Sequence, residues 1–367
     1  MTIQTCCALR HRGRRIVRGH PDALMQPESQ TDVTRETASI QSVPAYPAER
    51  FCVEFGVNSG EPLGVMDELV MDDIYELTQD CAPRRLSLAA WRDGALAVDG
   101  DTELGTPGAT LHLDCAVTLM PELGDSIDAL VLVQVDDAGM IDAVFLVPQA
   151  PLLAQTGYRL LKADRLSARQ TLAQMACVSF TRGTRITLGT GAQVAIEDLQ
   201  PGDRVLTRDS GVQEVTWIGR STVRAVGSMA PILIRAGALN NAADLLVSPD
   251  HRLMVYQRTD EIGAGSPEIL VRARDLVNGD TVVVQDGGFV DYYQILFDRH
   301  YIIYAEGIAA ESLLLDPVTE VTLPDALRDE VRRRPAHGVR ADHGLDISRN
   351  QQNRPDLVEL LKRASLR

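Results

Sequence analysis

Long apolar runs are missing from this 367-residue sequence. No window of about 18 apolar residues occurs, so no transmembrane segment is predicted. Positive charge is scarce as well. The chain has 36 Lys and Arg against 51 Asp and Glu, a net charge of −15, which argues against nucleic acid as a partner. The early arginines are not followed by an apolar stretch of the kind a signal peptide needs. Cytoplasmic location is therefore the default expectation, and export without a readable signal peptide stays open.

Motifs for metals and cofactors are missing too. The six cysteines form no CxxC pair, and His112, His251 and His300 lack the spacing of metal ligands. No phosphate-binding loop is present, since glycine pairs such as Gly287 and Gly288 fit hairpin turns. We therefore predict no metal and no cofactor.

The organisation of the chain follows from changes in its pattern. Residues 1–50 are polar, rich in Pro, Ser, Thr and Arg, and without periodicity, so they are predicted to be a disordered leader. Residues 51–165 alternate apolar and polar side chains, which predicts a small β-rich domain of unknown role. Residues 166–176 have the pattern of a helix or linker. Residues 318–367 form a polar C-terminal tail.

The stretch between helix and tail, residues 177–317, is rich in short strands separated by glycine turns. Such spacing is typical of an all-β fold but does not say which one. Three hairpins are predicted, over residues 184–196, 203–218 and 281–297.

Four segments within this stretch carry a resemblance. They are SFTRGTRI (179–186) with VAIEDLQPGDRVLT (194–207), VSPDHRLMV (247–255), YYQILFDRHYIIYAEG (292–307) and IAAESLL (308–314). In this order they resemble the Hint superfamily, shared by inteins and hedgehog autoprocessing domains, and look closest to bacterial intein-like domains. The resemblance implies a mainly β protein, with an all-β Hint fold over residues 177–317 preceded by the small β-rich domain.

In this family the first residue of the first segment is a nucleophile that attacks the carbonyl just upstream. The resemblance places Ser179 there, where relatives usually have Cys. Cys177 is the alternative, because residues two apart on an extended strand share a face. Ser248 and His251 stand where the family has Thr-x-x-His, which implies that the hydroxyl orients the peptide and the imidazole protonates or polarises its nitrogen. Ser248 before Pro249 also fits a turn cap, and His251 fits a histidine satisfied by a local carbonyl.

The third segment contains His300, where the family has a histidine that assists later steps. Gln294 replaces an Asp found in many relatives. Asp298 is close by in sequence and could substitute, although its spacing differs. A tight polar turn over residues 298–300 is the competing interpretation. In the fourth segment Glu311 stands where splicing inteins have a cyclising Asn, so full splicing is not expected. Ser312 is expected to be a surface or capping hydroxyl.

Together these residues predict a self-processing protein. An N-to-O or N-to-S acyl shift at the start of the Hint domain would release the N-terminal region in a single turnover. The substrate is then the chain's own N-terminal segment, and an external nucleophile is a possible acyl acceptor. The alternative is a catalytically silent Hint scaffold or binding module whose function lies in residues 51–165.

Overall fold

A computed structural model describes residues 37–91, 95–256, 267–316, 318–324, 327–329 and 345–346. The chain divides into two compact units, residues 1–172 and 173–367. Both units are built mainly from β-strands, as the sequence predicted. In the described part of the chain, no helix has the length and apolar character needed to cross a membrane.

The described residues of the first unit form nine strands. They are β1 (Thr37–Pro47), β2 (Phe51–Phe55), β3 (Ile74–Leu77), β4 (Arg84–Trp91), β5 (Leu96–Val98), β6 (Thr110–Pro121), β7 (Ile127–Val135), β8 (Ile141–Pro148) and β9 (Gly157–Asp164). The predicted helix follows as α1 (Arg165–Ala176).

These nine strands form one antiparallel sheet in the order β2-β3-β9-β6-β5-β4-β1-β8-β7, and an additional β6–β7 pairing closes part of it into a ring. Alternation along β6 explains the core of the unit, since Cys115, Val117 and Leu119 are buried on one face. They pack with aromatic side chains from β2, β3 and β9, including stacked Phe51 and Tyr75.

The predicted disordered leader over residues 1–50 is wrong at its C-terminal end, where β1 lies. Residues 1–36 lie outside the described residues, but β1 pairs with β4 and β8, so the sheet begins before residue 50. Val43 and Ala45 alternate inward along β1. The pattern was hidden because prolines at positions 44 and 47 interrupt it, and proline normally argues against a paired strand.

The second unit contains fifteen described strands. They are β10 (Phe180–Thr181), β11 (Arg185–Thr187), β12 (Gln193–Ala195), β13 (Arg204–Leu206), β14 (Val212–Glu214), β15 (Trp217–Arg224), β16 (Ile232–Ile234), β17 (Leu245–Val247), β18 (Arg252–Tyr256), β19 (Glu268–Arg272), β20 (Val282–Val284), β21 (Phe289–Leu296), β22 (Ile302–Ala305), β23 (Ile308–Glu311) and β24 (Leu345–Asp346).

Two larger sheets and one small hairpin make up this unit. The six-stranded sheet has the order β15-β21-β10-β17-β16-β20, and the seven-stranded sheet has the order β12-β11-β22-β23-β18-β19-β24. Strands β13 and β14 pair separately. Apolar side chains from both larger sheets form one buried cluster, which includes Phe180, Val247, Leu253 and Ile303. The chain segments that carry the four motifs therefore meet in one core.

Two of the three predicted hairpins are confirmed, as β11–β12 and β13–β14. The third is wrong. Strands β20 and β21 exist, but β20 pairs with β16 and β21 pairs with β15 and β10. Gly287 and Gly288, which connect these two strands, hydrogen-bond to Ala225 just after the end of β15. The connection is therefore held beside β15 and does not form a tight turn between β20 and β21.

A two-residue turn positions β23, the strand of the fourth motif segment. Glu306 and Gly307 join β22 to β23, with φ values of 48° and 81°. Positive φ at both positions is the signature of a type I′ turn, whose twist suits a hairpin. The Glu306 carboxylate fixes this turn by accepting a hydrogen bond from the Arg185 N–H at 2.7 Å. The turn thereby sets the register that places Glu311.

The C-terminal tail is only partly described. Residues 319–322 form a 3-10 turn, and β24 pairs in parallel with β19. The predicted polar tail otherwise lies largely outside the described residues.

Candidate active site

Ser179 lies at the junction of three strands of the six-stranded sheet. The next residue, Phe180, pairs with Val247 of β17 and with Tyr293 of β21. This register brings Ser179 beside Ser248 and Gln294, the residues that follow those two partners. Ser179 is only 3% exposed. Two residues that are 69 and 115 positions away in sequence thus contact Ser179, Ser248 at its backbone and Gln294 at its hydroxyl.

Ser248 holds the backbone on both sides of Val178. The backbone N–H of Ser179 donates to Ser248 Oγ at 2.9 Å, and the Ser248 hydroxyl faces the Cys177 carbonyl oxygen at 3.4 Å. In return, the Ser248 N–H donates to the Ser179 carbonyl oxygen at 2.9 Å. The nitrogen held by Ser248 belongs to the peptide bond that would be cut if Ser179 were the nucleophile.

His251 contacts backbone carbonyls from the first and the fourth motif segments. Its side chain is fully buried, with Nδ1 3.0 Å from the Ser179 carbonyl oxygen and Nε2 3.1 Å from the Glu311 carbonyl oxygen. The ring also packs edge-on against Phe180, with ring centroids 4.4 Å apart. The carbonyls that satisfy this histidine are therefore distant in sequence, not local.

The protonation of His251 is set by competing effects. Burial lowers the pKa of His251 and outweighs the two carbonyl contacts and the Glu311 carboxylate, which favour the charged form. A neutral imidazole has one N–H, whereas both of its nitrogens face acceptors. At neutral pH His251 therefore donates through one nitrogen only.

The hydroxyl of Ser179 has one described side-chain partner. Gln294 Nε2 donates to Ser179 Oγ at 3.4 Å, a long contact. An amide cannot take up the hydroxyl proton, and no described contact joins this oxygen to a carboxylate or an imidazole. The hydroxyl lines a pocket that also includes Cys177, Ser221, Ser248, Asp250 and Gln294.

Cys177 is close to Ser179 but buried in a different setting. Burial raises the pKa of the Cys177 thiol to about 12, although hydrogen bonds from the side chains of Thr322 and Gln294 oppose that rise. Very little thiolate exists at neutral pH, and the thiolate is the nucleophilic form. Gln294 donates to the Ser179 hydroxyl and lines the same pocket as Cys177.

Glu311 and Ser312 are both buried. The Glu311 carboxylate is 1% exposed and lies 3.6 Å from the Arg252 guanidinium. Ser312 Oγ accepts a hydrogen bond from the Tyr301 N–H at 2.9 Å, so this hydroxyl caps a backbone group inside the protein.

The segment between β21 and β22 carries the remaining predicted site residues. Asp298 accepts a hydrogen bond from the Tyr301 hydroxyl at 2.9 Å, and His300 is buried. Neither residue lines the pocket beside Ser179. Within the described part of the chain, no group of three or more His, Cys, Asp or Glu is arranged to hold a metal.

Sequence reasoning missed two features of this site. The Glu311 backbone carbonyl is a partner of His251, and Arg252 is the counter-ion of the Glu311 carboxylate. The adjacent charged residues at 251–252 were visible in the sequence. A backbone carbonyl has no sequence signature, so only the strand register reveals it.

Residues 178–317 match the family model of the Hint domain. Similar solved structures include the Ssp DnaB mini-intein variant M86, at 10% identity and a TM-score of 0.26, over 38% of this chain and 97% of that chain. The gp41-1 intein has 13% identity and a TM-score of 0.24, over 36% of this chain and 97% of that chain. The MchDnaB-1 intein has 13% identity and a TM-score of 0.24, over 36% and 98%. No curated protein matches the sequence. Residues 178–317 of this chain are therefore a Hint domain.

Proposed function

We propose that this Hint domain cleaves its own chain through an acyl shift at the peptide bond between Val178 and Ser179. The observation that supports this proposal most strongly is the hydrogen bond from the Ser179 N–H to Ser248 Oγ. It fixes the nitrogen of that peptide bond in the same buried pocket as the Ser179 hydroxyl.

The first step is an isomerisation. Ser179 Oγ attacks the carbonyl carbon of Val178, a C–O bond forms, and the bond from that carbon to the Ser179 nitrogen breaks. The hydroxyl proton ends on the departing nitrogen, which becomes the α-amino group of Ser179. The product is an ester between Val178 and the Ser179 side chain. Water then adds to the ester carbonyl and gives a Val178 carboxylate, a free Ser179 hydroxyl and one proton, which the new α-amino group takes up.

Ser248 is the group best placed to donate a hydrogen bond to the departing nitrogen. Its oxygen already lies 2.9 Å from that nitrogen, and its own proton points towards the Cys177 carbonyl at 3.4 Å. As the amide becomes an amine, the nitrogen gains a lone pair that can accept a proton. The Ser248 hydroxyl can then rotate and donate instead of accept.

His251 acts in this proposal by positioning. It contacts the carbonyl oxygen of Ser179, which is one residue beyond the peptide nitrogen. Together with the Ser248 N–H, it holds the Ser179 carbonyl oxygen and so fixes the backbone of the nucleophile. The roles of His300, Asp298 and Cys177 in later or alternative steps stay predictions.

A second candidate function is a silent scaffold. The observation that favours it is the Ser179 hydroxyl itself, whose described side-chain partner is the amide of Gln294 and not a base. A serine without a base is a weak nucleophile. In that case the fold would persist without cleavage, and the function would lie in residues 51–165.

Trapping the ester separates the two candidates. Hydroxylamine attacks esters, so wild-type protein at mildly alkaline pH should yield residues 1–178 ending in a hydroxamate and residues 179–367 beginning with Ser179. Ser179→Ala should abolish this product, and Cys177→Ser should leave it intact. Equal, negligible cutting of wild type and Ser179→Ala would support the scaffold and contradict the acyl shift.

A further inference from the structure

The residue two positions before the proposed cut is built into the Hint unit. Cys177 packs in a buried cluster with Leu296 of β21 and with leucines from the C-terminal side of the domain. We call this the flank cluster, and its buried members are Cys177, Leu296, Leu313, Leu315 and Leu323.

The residues around Cys177 are also held. Ala173 and Met175 are buried, and the Cys177 N–H donates to the Ala173 carbonyl oxygen at 2.9 Å. The Cys177 carbonyl faces the Ser248 hydroxyl. Residues 173–178 belong to the same compact unit as the Hint domain, although they precede the proposed cut.

The C-terminal side of the cluster is fixed by its own contacts. Thr319 Oγ1 donates to the Leu314 carbonyl oxygen at 2.9 Å, and the Arg328 guanidinium donates to the Leu323 carbonyl oxygen at 2.9 Å. Leu313, Leu315 and Leu323 share the buried cluster with Cys177. Residues 313–316 and 318–323 therefore cover Cys177 from the C-terminal side of the domain.

We propose that residues 313–316 and 318–323 are a clamp that holds residues 173–178 on the Hint domain, so that a cut after Val178 yields a nicked complex. The partner bound by the clamp is thus the new C-terminus of the chain's own N-terminal fragment. Hydrolysis between Val178 and Ser179 breaks none of the contacts of the flank cluster. The second half of this inference, the nicked complex, rests on the proposed cleavage, whereas the clamp itself does not.

The clamp is tested first in an uncut chain. In the Ser179→Ala protein, alkylation followed by peptide mass spectrometry should modify the half-buried Cys52 and Cys81 well before Cys177. Leu323→Ala should raise the rate at Cys177 about tenfold or more, because a cavity in the cluster favours local opening. Leu123→Ala is the matched control, since Leu123 is 92% exposed. A Cys177 as reactive as Cys52, or a rate unchanged by Leu323→Ala, would overturn the clamp.

The nicked complex is tested on cut wild-type protein. After cleavage, size-exclusion chromatography without denaturant should give one peak that contains both fragments, and denaturant should separate them. Leu323→Ala should shift the cut protein towards two peaks, and Leu123→Ala should not. Separate wild-type fragments without denaturant would overturn the nicked complex. A chain that is never cut contradicts the proposed function and the nicked complex, and the alkylation rates then decide the clamp alone.

Discussion

The backbone N–H of Ser179 donates to the hydroxyl oxygen of Ser248 at 2.9 Å, and both residues are buried. Ser248→Ala removes the acceptor and leaves that N–H unsatisfied. We expect a loss of about 1–3 kcal/mol in the free energy of unfolding, measured with denaturant. We also expect a large loss of cleavage rate, because the nitrogen loses its neighbouring hydroxyl.

Two control variants test the interpretation of Ser248→Ala. Ser248→Thr keeps a hydroxyl and should retain cleavage. Ser221→Ala changes a hydroxyl that lines the same pocket without holding the Ser179 nitrogen, and it should leave the rate within about twofold, as expected for a neutral site. Equal rates for Ser248→Ala and Ser221→Ala would remove Ser248 from the mechanism.

The identity of the nucleophile is tested by exchanging oxygen for sulfur. Ser179→Cys should accelerate the acyl shift, since a thiol is intrinsically more nucleophilic than a hydroxyl, and the product becomes a thioester that added thiols cleave. Cys177→Ser should leave the site of cutting unchanged. The measurement is the N-terminal sequence of the C-terminal fragment. A fragment that begins at Cys177 in the wild type would move the nucleophile two residues upstream.

The buried imidazole of His251 predicts a pH dependence of stability. Burial lowers the pKa of His251 in the folded chain, whereas the unfolded chain titrates near 6.5. Below that pH the unfolded state binds the proton more readily, so protonation favours unfolding. The contribution of neutral His251 to stability is complete above about pH 6.5 and is lost as the pH falls below that value.

Denaturant unfolding between about pH 5 and pH 7.5 measures this effect. Relative to wild type, His251→Gln should show a flatter fall of the unfolding free energy over the acid part of that range. Parallel curves for the two proteins would contradict the assignment. The comparison removes the contributions of the other histidines, which both proteins share.

Because the ion pair of Glu311 with Arg252 is buried, we expect removal of the Glu311 carboxylate to lower the free energy of unfolding strongly. The carboxylate is 1% exposed, and its loss leaves a largely buried guanidinium without this partner. We expect Glu311→Ala to cost about 3–5 kcal/mol of unfolding free energy. Lys162→Ala, which removes an exposed pair with Asp164, should cost less than about 1 kcal/mol. A similar small cost for both variants would show that the buried pair does not stabilise the fold.

Much of this fold could be predicted because its signals are local. Alternation gave the strands around Cys115 and Val117, and turn glycines gave the hairpins β11–β12 and β13–β14. The resemblance of the four segments to Hint domains identified the stretch that contains Ser179, Ser248 and His251. The catalytic roles of those residues remain predictions.

The other features of the fold depend on which strands pair and in what register, and no local sequence pattern shows this. Nothing local shows that β20 joins β16 and not its neighbour in sequence, because that pairing is fixed across the sheet. The contact between His251 and the Glu311 carbonyl requires the type I′ turn at residues 306–307 to set the position of β23. The leucines of the flank cluster come from segments that are far apart in sequence from Cys177, so their convergence on that residue was equally hidden.

The intact mass of freshly purified full-length protein tests the central proposal most directly, before and after incubation with hydroxylamine at mildly alkaline pH. The acyl shift predicts two fragments that meet between Val178 and Ser179, present in the wild type and absent from Ser179→Ala. A single mass of 40.1 kDa in the wild type under every condition would contradict it.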